Sequence, residues 1–349
     1  MKLAGGPAAD QEAKAKQIKR LQAVGETCES AGLHELAGRC ADLVLELGPS
    51  AAALIKRGGI HFDREEWKLA AERFRQAWEK DDKQTVALYL QGRSLVRGGD
   101  AKEGERLVKL AESLVLGDDA ERHALVSALD DRGLSEDADR QREFIIRTGG
   151  FNSWQMNNAR MHLGNRGHDS KNFQQAADYY ERYMLGVLRT SSAFMRSTAY
   201  LVLPQAVYRA KAQASLKKGD VENAMKFARQ SASYLPEDSK LPLEIVPELD
   251  RLGQTKEADE LFELTYQALD GVIQKHPNAA TRRNNAAWLA AQCNRRLPDA
   301  LRHAESAVSL RPGHAGNLDT LAEVHFRLGN REKAVETIQR SLAIEPDSD

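Results

Sequence analysis

The sequence predicts an all-α protein made of repeated helix pairs. Ala and Leu dominate its apolar residues, aromatic residues make up only 6% of the 349-residue chain, and there are only ten Pro, a balance that favours helices. Near the C-terminus, Pro312 and Pro346 lie 34 residues apart, and Ala300 and Ala334 repeat that spacing. A period of this length is typical of helix pairs that bury their apolar faces only by stacking on their neighbours.

Composition and charge exclude several other classes of protein. The net charge of −1 gives no overall preference for nucleic acid or an anionic membrane, so we expect neither a nucleic-acid partner nor membrane insertion. Three widely spaced Cys form neither a disulfide framework nor a zinc pattern. No apolar run approaches 18 residues, and the N-terminus lacks the apolar core of an export signal. We expect a cytoplasmic protein, or alternatively a soluble fragment of an exported or membrane-tethered one.

The 34-residue pattern extends backwards through most of the chain. Small residues and large apolar residues recur at matching positions, and the repeats start near residues 18, 51, 85, 119, 153, 205, 239, 281 and 315. The residues that match in the clearest repeats are Leu54, Gly58, Trp67, Ala70, Phe74 and Ala77; Leu88, Gly92, Leu95, Gly104, Val108 and Ala111; and Tyr208, Ala212, Gly219, Ala224, Ala228 and Pro236. A glycine near position 15 is predicted to end the first helix of six repeats, at Gly32, Gly99, Gly133, Gly219, Gly253 and Gly329.

This pattern resembles the tetratricopeptide repeat family, which has small residues at positions 8 and 20 and large apolar ones at 4, 7, 11 and 24. The resemblance implies a right-handed superhelical α-solenoid of nine antiparallel helix pairs. Residues 1–17 are then a flexible N-terminal segment, 18–152 hold repeats 1–4, 153–238 hold the irregular repeats 5 and 6, and 239–349 hold repeats 7–9. In the eighth repeat either Ala287 or Trp288 could occupy the small-residue position, and Trp288 faces the channel in the first case.

The central repeats depart from the period and differ in composition. The fifth repeat has about four extra residues around 164–175, residues 191–204 are predicted to lengthen the first helix of the sixth, and the second helix of the seventh runs on to Pro277.

Residues 151–208 contain nine of the 21 aromatic residues, and residues 151–234 carry twelve Lys or Arg against five Asp or Glu. Aromatic and basic residues dominate protein interfaces, although ordinary drift between repeats is an equal alternative. Of these aromatics, Tyr180, Tyr183 and Tyr208 are expected to be packing residues.

By the same resemblance, the first helix of each repeat lines a concave channel with positions 2, 5, 9, 12 and 13. The residues placed there are Tyr89, Arg93, Arg97, His123, Trp154, Asn157, Met161, Arg209, Gln213 and Lys217. Asn amides can bind a peptide backbone, Arg can bind carboxylates, and aromatic rings supply apolar area. The expected partner is a protein or peptide, including an acidic or C-terminal segment. A clamp for a C-terminal carboxylate of the kind some members of the family use is disfavoured, because Glu244 falls where an Asn belongs.

No catalytic or cofactor motif accompanies these residues, so we expect neither an enzyme nor a cofactor. His162, His168 and Asp169 could in principle bind a metal ion, but a solvated loop is the favoured interpretation. The leading hypothesis is a scaffold or adaptor that binds a partner segment in the channel. The alternatives are a regulatory or substrate-recruiting portion of a larger protein or enzyme, and a protein that self-associates through its C-terminal repeat.

Overall fold

The structure is a computed structural model that describes residues 7–114, 119–150, 153–190 and 199–345, except for the side chains of 7–10, 119, 189–190 and 199–200. All regular secondary structure in these ranges is α-helical. The helices are α1 (Pro7–Ser30), α2 (His34–Leu47), α3 (Ala51–Asp63), α4 (Trp67–Lys80), α5 (Thr85–Arg97), α6 (Ala101–Ser113), α7 (Asp119–Asp130), α8 (Ser135–Thr148), α9 (Trp154–Asp169), α10 (Phe173–Thr190), α11 (Ala199–Lys217), α12 (Val221–Tyr234), α13 (Lys240–Arg251), α14 (Thr255–Lys275), α15 (Ala280–Gln292), α16 (Leu297–Leu310), α17 (Ala315–Arg327) and α18 (Arg331–Ile344). The odd-numbered helices are the first and the even-numbered the second helices of nine repeats, which confirms the predicted all-α fold of helix pairs.

The first helix of every repeat ends in a residue with a left-handed backbone. All six predicted glycines have positive φ, from 67° at Gly133 to 99° at Gly99, so this prediction is confirmed. Three repeats use a side-chain-bearing residue instead, namely Glu65, Lys171 and Asn294, with φ between 51° and 60°. These nine residues occupy position 15, where the chain must reverse direction.

Position 15 also fixes the register of the irregular repeats. Gly99 and Gly133 are 34 residues apart, as are Gly219 and Gly253, whereas Gly133 and Lys171 are 38 apart. The fifth repeat therefore starts near residue 157, four residues later than predicted, and its extra residues precede its first helix or form that helix's first turn. They do not lie between its two helices.

Asn294 settles the alternative in the eighth repeat. Counting back from this residue at position 15 places the start of the repeat at 280, where α15 begins. Position 8 is then Ala287, which is fully buried, and the adjacent Trp288 is half-buried.

Several helices are longer than the repeat requires. Helix α1 begins at Pro7 and so includes residues 7–17 of the segment predicted to be flexible; Pro suits the first turn of a helix, and Ala, Gln, Glu and Lys favour its continuation. Helix α14 has 21 residues and ends just before Pro277, as expected. Helix α11 extends the sixth repeat over 199–204, while residues 191–198, as well as Phe151, lie outside the described residues.

The chain forms two compact blocks, residues 1–156 and 157–349, which we call the first and second block. In each block most consecutive helices pack against one another, for example α5 against α6 and α11 against α12. In the second block α11, α13, α15 and α17 also contact each other in series, so the first helices of the repeats form one layer. Fully buried Leu249, Leu261 and Phe262 lie at the centre of its core.

Close helix crossings depend on small residues at positions 8 and 20, as predicted. A Cβ atom on Gly92 of α5 would lie 2.7 Å from the carbonyl oxygen of Gly104 of α6. A Cβ atom on Gly58 would lie 2.8 Å from the ring of Phe74, and one on Gly164 would lie 2.6 Å from the ring of Tyr180. In both of the last two pairs the aromatic residue follows the glycine by 16 positions, which supports the corrected register of the fifth repeat.

Candidate partner-binding site

A cleft of about 550 Å³ opens on the layer of first helices in the second block. The C-terminal end of α9 and the turn into α10 form one wall, α11 forms the floor, and α13 forms the opposite wall. Its lining residues are His168, Asp169, Lys171, Phe173, Gln213, Leu216, Lys217, Glu244, Ile245 and Glu248. The volume lies in the range of ordinary ligand pockets.

Three of the predicted binding residues lie along one face of α11 in this region. Arg209, Gln213 and Lys217 are spaced four residues apart, which brings their side chains to the same side of the helix. The Gln213 amide nitrogen donates to Glu244 Oε2 at 2.9 Å, and the side chain is only 8% exposed. The Arg209 Nε atom lies 3.4 Å from the same carboxylate oxygen, and its Nη1 atom lies 3.8 Å from Asp238. Glu244 therefore organises this face of α11.

The turn between α9 and α10 is attached to α11. The Lys217 ammonium donates to the carbonyl oxygen of Lys171 at 2.8 Å. Lys171 has φ of 57°. This left-handed backbone conformation costs a residue that carries a side chain about 1–2 kcal/mol. The His168 ring packs edge-on against Phe173 with 5.6 Å between ring centres, so both side chains form part of the cleft wall.

In the first block, two predicted binding residues belong to a buried polar network. Tyr89 is fully buried; its hydroxyl donates to Glu112 at 3.3 Å and accepts from Arg140 at 3.4 Å. Burial raises the pKa of Tyr89, and the carboxylate of Asp137 raises it further. Arg93 lies 2.5 Å from Asp137, measured from Nε to Oδ2, and donates from Nη1 to Glu105 at 2.8 Å. These contacts give both side chains a structural role, and the Tyr89 ring offers no surface to a partner.

The remaining predicted residues of the first block are more accessible. Trp154 is 64% exposed, and His123 packs edge-on against it with 4.8 Å between ring centres and 79° between ring planes. Burial lowers the pKa of His123, and the nearby Arg142 lowers it further, which favours the neutral ring. Arg97 is exposed at the end of α5. In the corrected register Trp154 belongs to the extra first turn of α9, so it precedes position 1 of its repeat.

Asn157 and Met161 belong to the second block. Asn157 is half-buried and its side-chain oxygen accepts from Arg160 at 3.3 Å. Met161 packs against a small core around Tyr180, which is buried as expected. Tyr208 is likewise a packing residue, because its ring stacks on those of Phe227 and Tyr234.

Sequence reasoning missed the residues that give the cleft its shape. The corrected register moves His168 and Asp169 to positions 12 and 13 of the fifth repeat, on the face that the family resemblance assigns to binding. The 16-residue interval between Gly164 and Tyr180, which matches that between Gly58 and Phe74, was the signal that could have revealed this register.

Among the described residues, no group of three or more His, Cys, Asp or Glu side chains is placed to hold a metal ion. Over the same residues, none of the helices combines the length and the apolar character needed to cross a bilayer.

Comparison with known proteins identifies the repeat. A family model described as Tetratricopeptide repeat matches residues 316–348. No curated protein matches the chain. Similar solved structures include YrrB, described as a TPR protein with an unusual peptide-binding site (17% identity, TM-score 0.28, covering 54% of this chain and 86% of YrrB). Yeast Tom70 is another (12% identity, TM-score 0.32, covering 96% of this chain and 86% of Tom70).

A third similar structure is a chain of the Naa15/Naa10 complex bound to HypK-THB, with 13% identity and a TM-score of 0.39. The alignment covers 96% of this chain but only 64% of that one. All three TM-scores lie below 0.5, so the assignment rests on the family match in the last repeat and on the helix pairs themselves. The last repeat therefore matches the tetratricopeptide repeat, and the nine reversals at position 15 show that the same helix-pair arrangement recurs along the chain.

Proposed function

We propose that the chain is a protein-interaction scaffold that binds an extended or helical segment of a partner protein, and that it acts by binding rather than by catalysis. The observation that carries this proposal is the cleft on α11, which combines apolar walls with polar groups in a fixed arrangement. This combination suits a peptide segment. The apolar walls of the cleft supply affinity for its side chains, and the few fixed polar groups orient its backbone.

The binding surface in this proposal is narrower than the predicted channel. It contains Gln213 and Lys217 at the cleft and, independently in the first block, the exposed ring of Trp154. Exposed Trp side chains are frequent anchors in interfaces. Arg209 supports the site from within, since its guanidinium is held by two carboxylates.

Site-specific photo-crosslinking tests the proposal. A benzophenone amino acid replaces Lys217 in the cleft or, as a matched control, the exposed Lys226 of α12 on the layer of second helices. We expect a discrete crosslinked protein from a lysate of the source cells at position 217 and none at 226. Equal crosslinking at both positions, or none at 217, would contradict the proposal.

A second candidate function is self-association through α18. Val335 and Leu342 of this helix are 55% and 42% exposed, whereas Leu301 and Val308, one repeat earlier, pack against the core of the second block. A second copy that covers the α18 face would bury the same positions. Light scattering of the wild type and of a Val335→Lys/Leu342→Lys variant tests this: a dimer that becomes a monomer supports the idea, and a monomeric wild type rejects it.

A further inference from the structure

The cleft on α11 contains a buried hydrogen-bond acceptor that has no donor. Because the Gln213 amide nitrogen donates to Glu244, the amide oxygen Oε1 must point elsewhere. This oxygen is buried and, within the described part of the chain, has no hydrogen-bond partner. An unsatisfied buried polar group destabilises the folded chain unless a donor reaches it. A rotation about the soft terminal torsion of Gln213 would offer the oxygen to a donor that enters the cleft. The rotation breaks the bond from the amide nitrogen to Glu244, and the entering donor replaces it.

The charges around this acceptor disfavour an anionic ligand. Three carboxylates belong to the lining: Asp169 is 81% exposed, Glu248 pairs with Arg251, and Glu244 is the least exposed of the three. Arg209 does not neutralise Glu244 fully, because its guanidinium lies between Glu244 and Asp238 and is shared by the two carboxylates. A carboxylate that entered here would be repelled by Glu244, while a cation would be attracted.

The two ammonium groups of the lining do not reverse this balance. Lys217 is exposed, and its ammonium is already hydrogen-bonded to the carbonyl oxygen of Lys171. Lys171 is exposed as well. Both charges therefore sit in solvent, where they are screened. Inside the cleft, the Glu244 carboxylate lies 3.7 Å from His168 Nε2 and 3.4 Å from Arg209 Nε, both longer than an ordinary hydrogen bond, so it can still accept from an entering donor.

Apolar side chains complete the lining. Phe173, Leu216 and Ile245 come from α10, α11 and α13. A long side chain with a methylene stem and a cationic end matches this arrangement, because the stem can pack on apolar groups while the end reaches polar ones. Lys and Arg are the two amino acids with this structure.

We propose that the cleft binds a lysine or arginine side chain of the partner segment. The cationic end donates to Glu244 and to the reoriented Gln213 oxygen, and the stem packs between Phe173, Leu216 and Ile245. This inference rests on the proposed scaffold function, since the basic side chain arrives as part of a bound segment. It differs from the acidic segment expected from the sequence, because the carboxylate of Glu244 lies inside the cleft.

A titration with single amino-acid derivatives tests the inference without knowledge of the partner. The full chain, labelled at its Leu and Ile methyl groups, is titrated with Nα-acetyl-lysine amide, Nα-acetyl-arginine amide, Nα-acetyl-norleucine amide and Nα-acetyl-glutamate amide. We expect saturable NMR shifts of the Leu216 and Ile245 methyl groups with the two basic derivatives, with a Kd of about 1–10 mM for ligands of this size. Norleucine has a comparable stem without the charge and should bind at least about fivefold more weakly.

Matched variants locate the effect. Glu244→Gln should weaken binding of the lysine derivative about tenfold, and Asp169→Asn, at an exposed position, should weaken it less. Glu260→Gln, on α14 where the carboxylate pairs with Arg229 outside the cleft, should leave binding unchanged. Well-dispersed methyl spectra show that each variant folds.

Three results would overturn the inference: tighter binding of the glutamate derivative, equal binding of norleucine and lysine, or no saturable shift with either basic derivative. The outcome is separable from that of the scaffold proposal. Crosslinking at position 217 without binding of the basic derivatives would reject only the basic selectivity, whereas binding of the derivatives without any crosslinked protein would reject the scaffold function.

Discussion

Two glycine-to-alanine substitutions should change stability in opposite directions. In Gly92→Ala the new methyl group would lie 2.7 Å from the Gly104 carbonyl oxygen and 2.8 Å from Val108 Cγ2, so α5 and α6 must separate. Overpacking of this kind costs about 3 kcal/mol, and the better helix propensity of Ala returns about 1 kcal/mol. We therefore expect a net loss of about 2 kcal/mol.

Gly271→Ala is the matched control, because it adds the same methyl group to a helix at a position without a close neighbour. Gly271 lies inside α14, and a Cβ atom placed on it has nothing within 4 Å among the described residues. Gly271→Ala should therefore stabilise the chain by about 1 kcal/mol through helix propensity and the restricted unfolded state.

Urea denaturation followed by circular dichroism at 222 nm measures both variants. With a urea dependence near 3 kcal/mol per molar, Gly92→Ala should lower the midpoint of the transition in its block by about 0.7 M and Gly271→Ala should raise it by about 0.3 M. If both substitutions move the midpoint in the same direction, the close crossing at positions 8 and 20 is not what holds these helix pairs together.

Three further predictions concern other features of the structure. Lys171→Gly should raise stability by about 1 kcal/mol because it removes a side chain from a left-handed position; a lower melting temperature would contradict this. Asp137→Asn should lower stability by about 2 kcal/mol because it removes the buried carboxylate that pairs with Arg93 and leaves this guanidinium only the exposed Glu105; an unchanged urea midpoint would refute the role of this ion pair. Burial lowers the pKa of His303 and His325, so below pH of about 6.5 the unfolded chain takes up protons that the folded chain does not, and stability should fall from pH 7.5 to pH 5.5. The urea midpoint of a His303→Gln/His325→Gln variant should fall less over this range, and an equal fall would exclude these two side chains as the cause.

The sequence predicted the helix pairs because their physical requirements are local. Small residues at positions 8 and 20 and glycine at position 15 are visible as residue types, and Gly32, Gly219 and Gly329 have the positive φ expected of them. Lys171 and Asn294 adopt the same conformation but carry no such signature, since a left-handed backbone at a residue with a side chain depends on its surroundings. For this reason the fifth repeat was placed four residues too early.

The binding residues were less predictable because burial depends on contacts between distant segments. The position of Tyr89 in its repeat indicated a channel residue, but Glu112 and Arg140, 23 and 51 residues away in sequence, hold its hydroxyl in a buried network. The pairing of Arg93 with Asp137 spans 44 residues. For Gln213, the repeat pattern indicated the correct face, while its partner Glu244 became apparent only from the packing of α11 and α13.

The affinity of the crosslinked partner segment tests most directly the central claim that this segment binds at the cleft on α11. Once crosslinking at position 217 has identified that segment, a synthetic peptide of the same sequence is titrated calorimetrically into the wild type and into Lys217→Trp and Lys226→Trp variants, which place the same bulky ring on opposite layers of the second block. The account predicts affinity at least about tenfold weaker for Lys217→Trp, whose ring blocks the cleft, and within about twofold of wild type for Lys226→Trp. Equal affinities for all three proteins, or an equal loss in both variants, would contradict a binding site on α11.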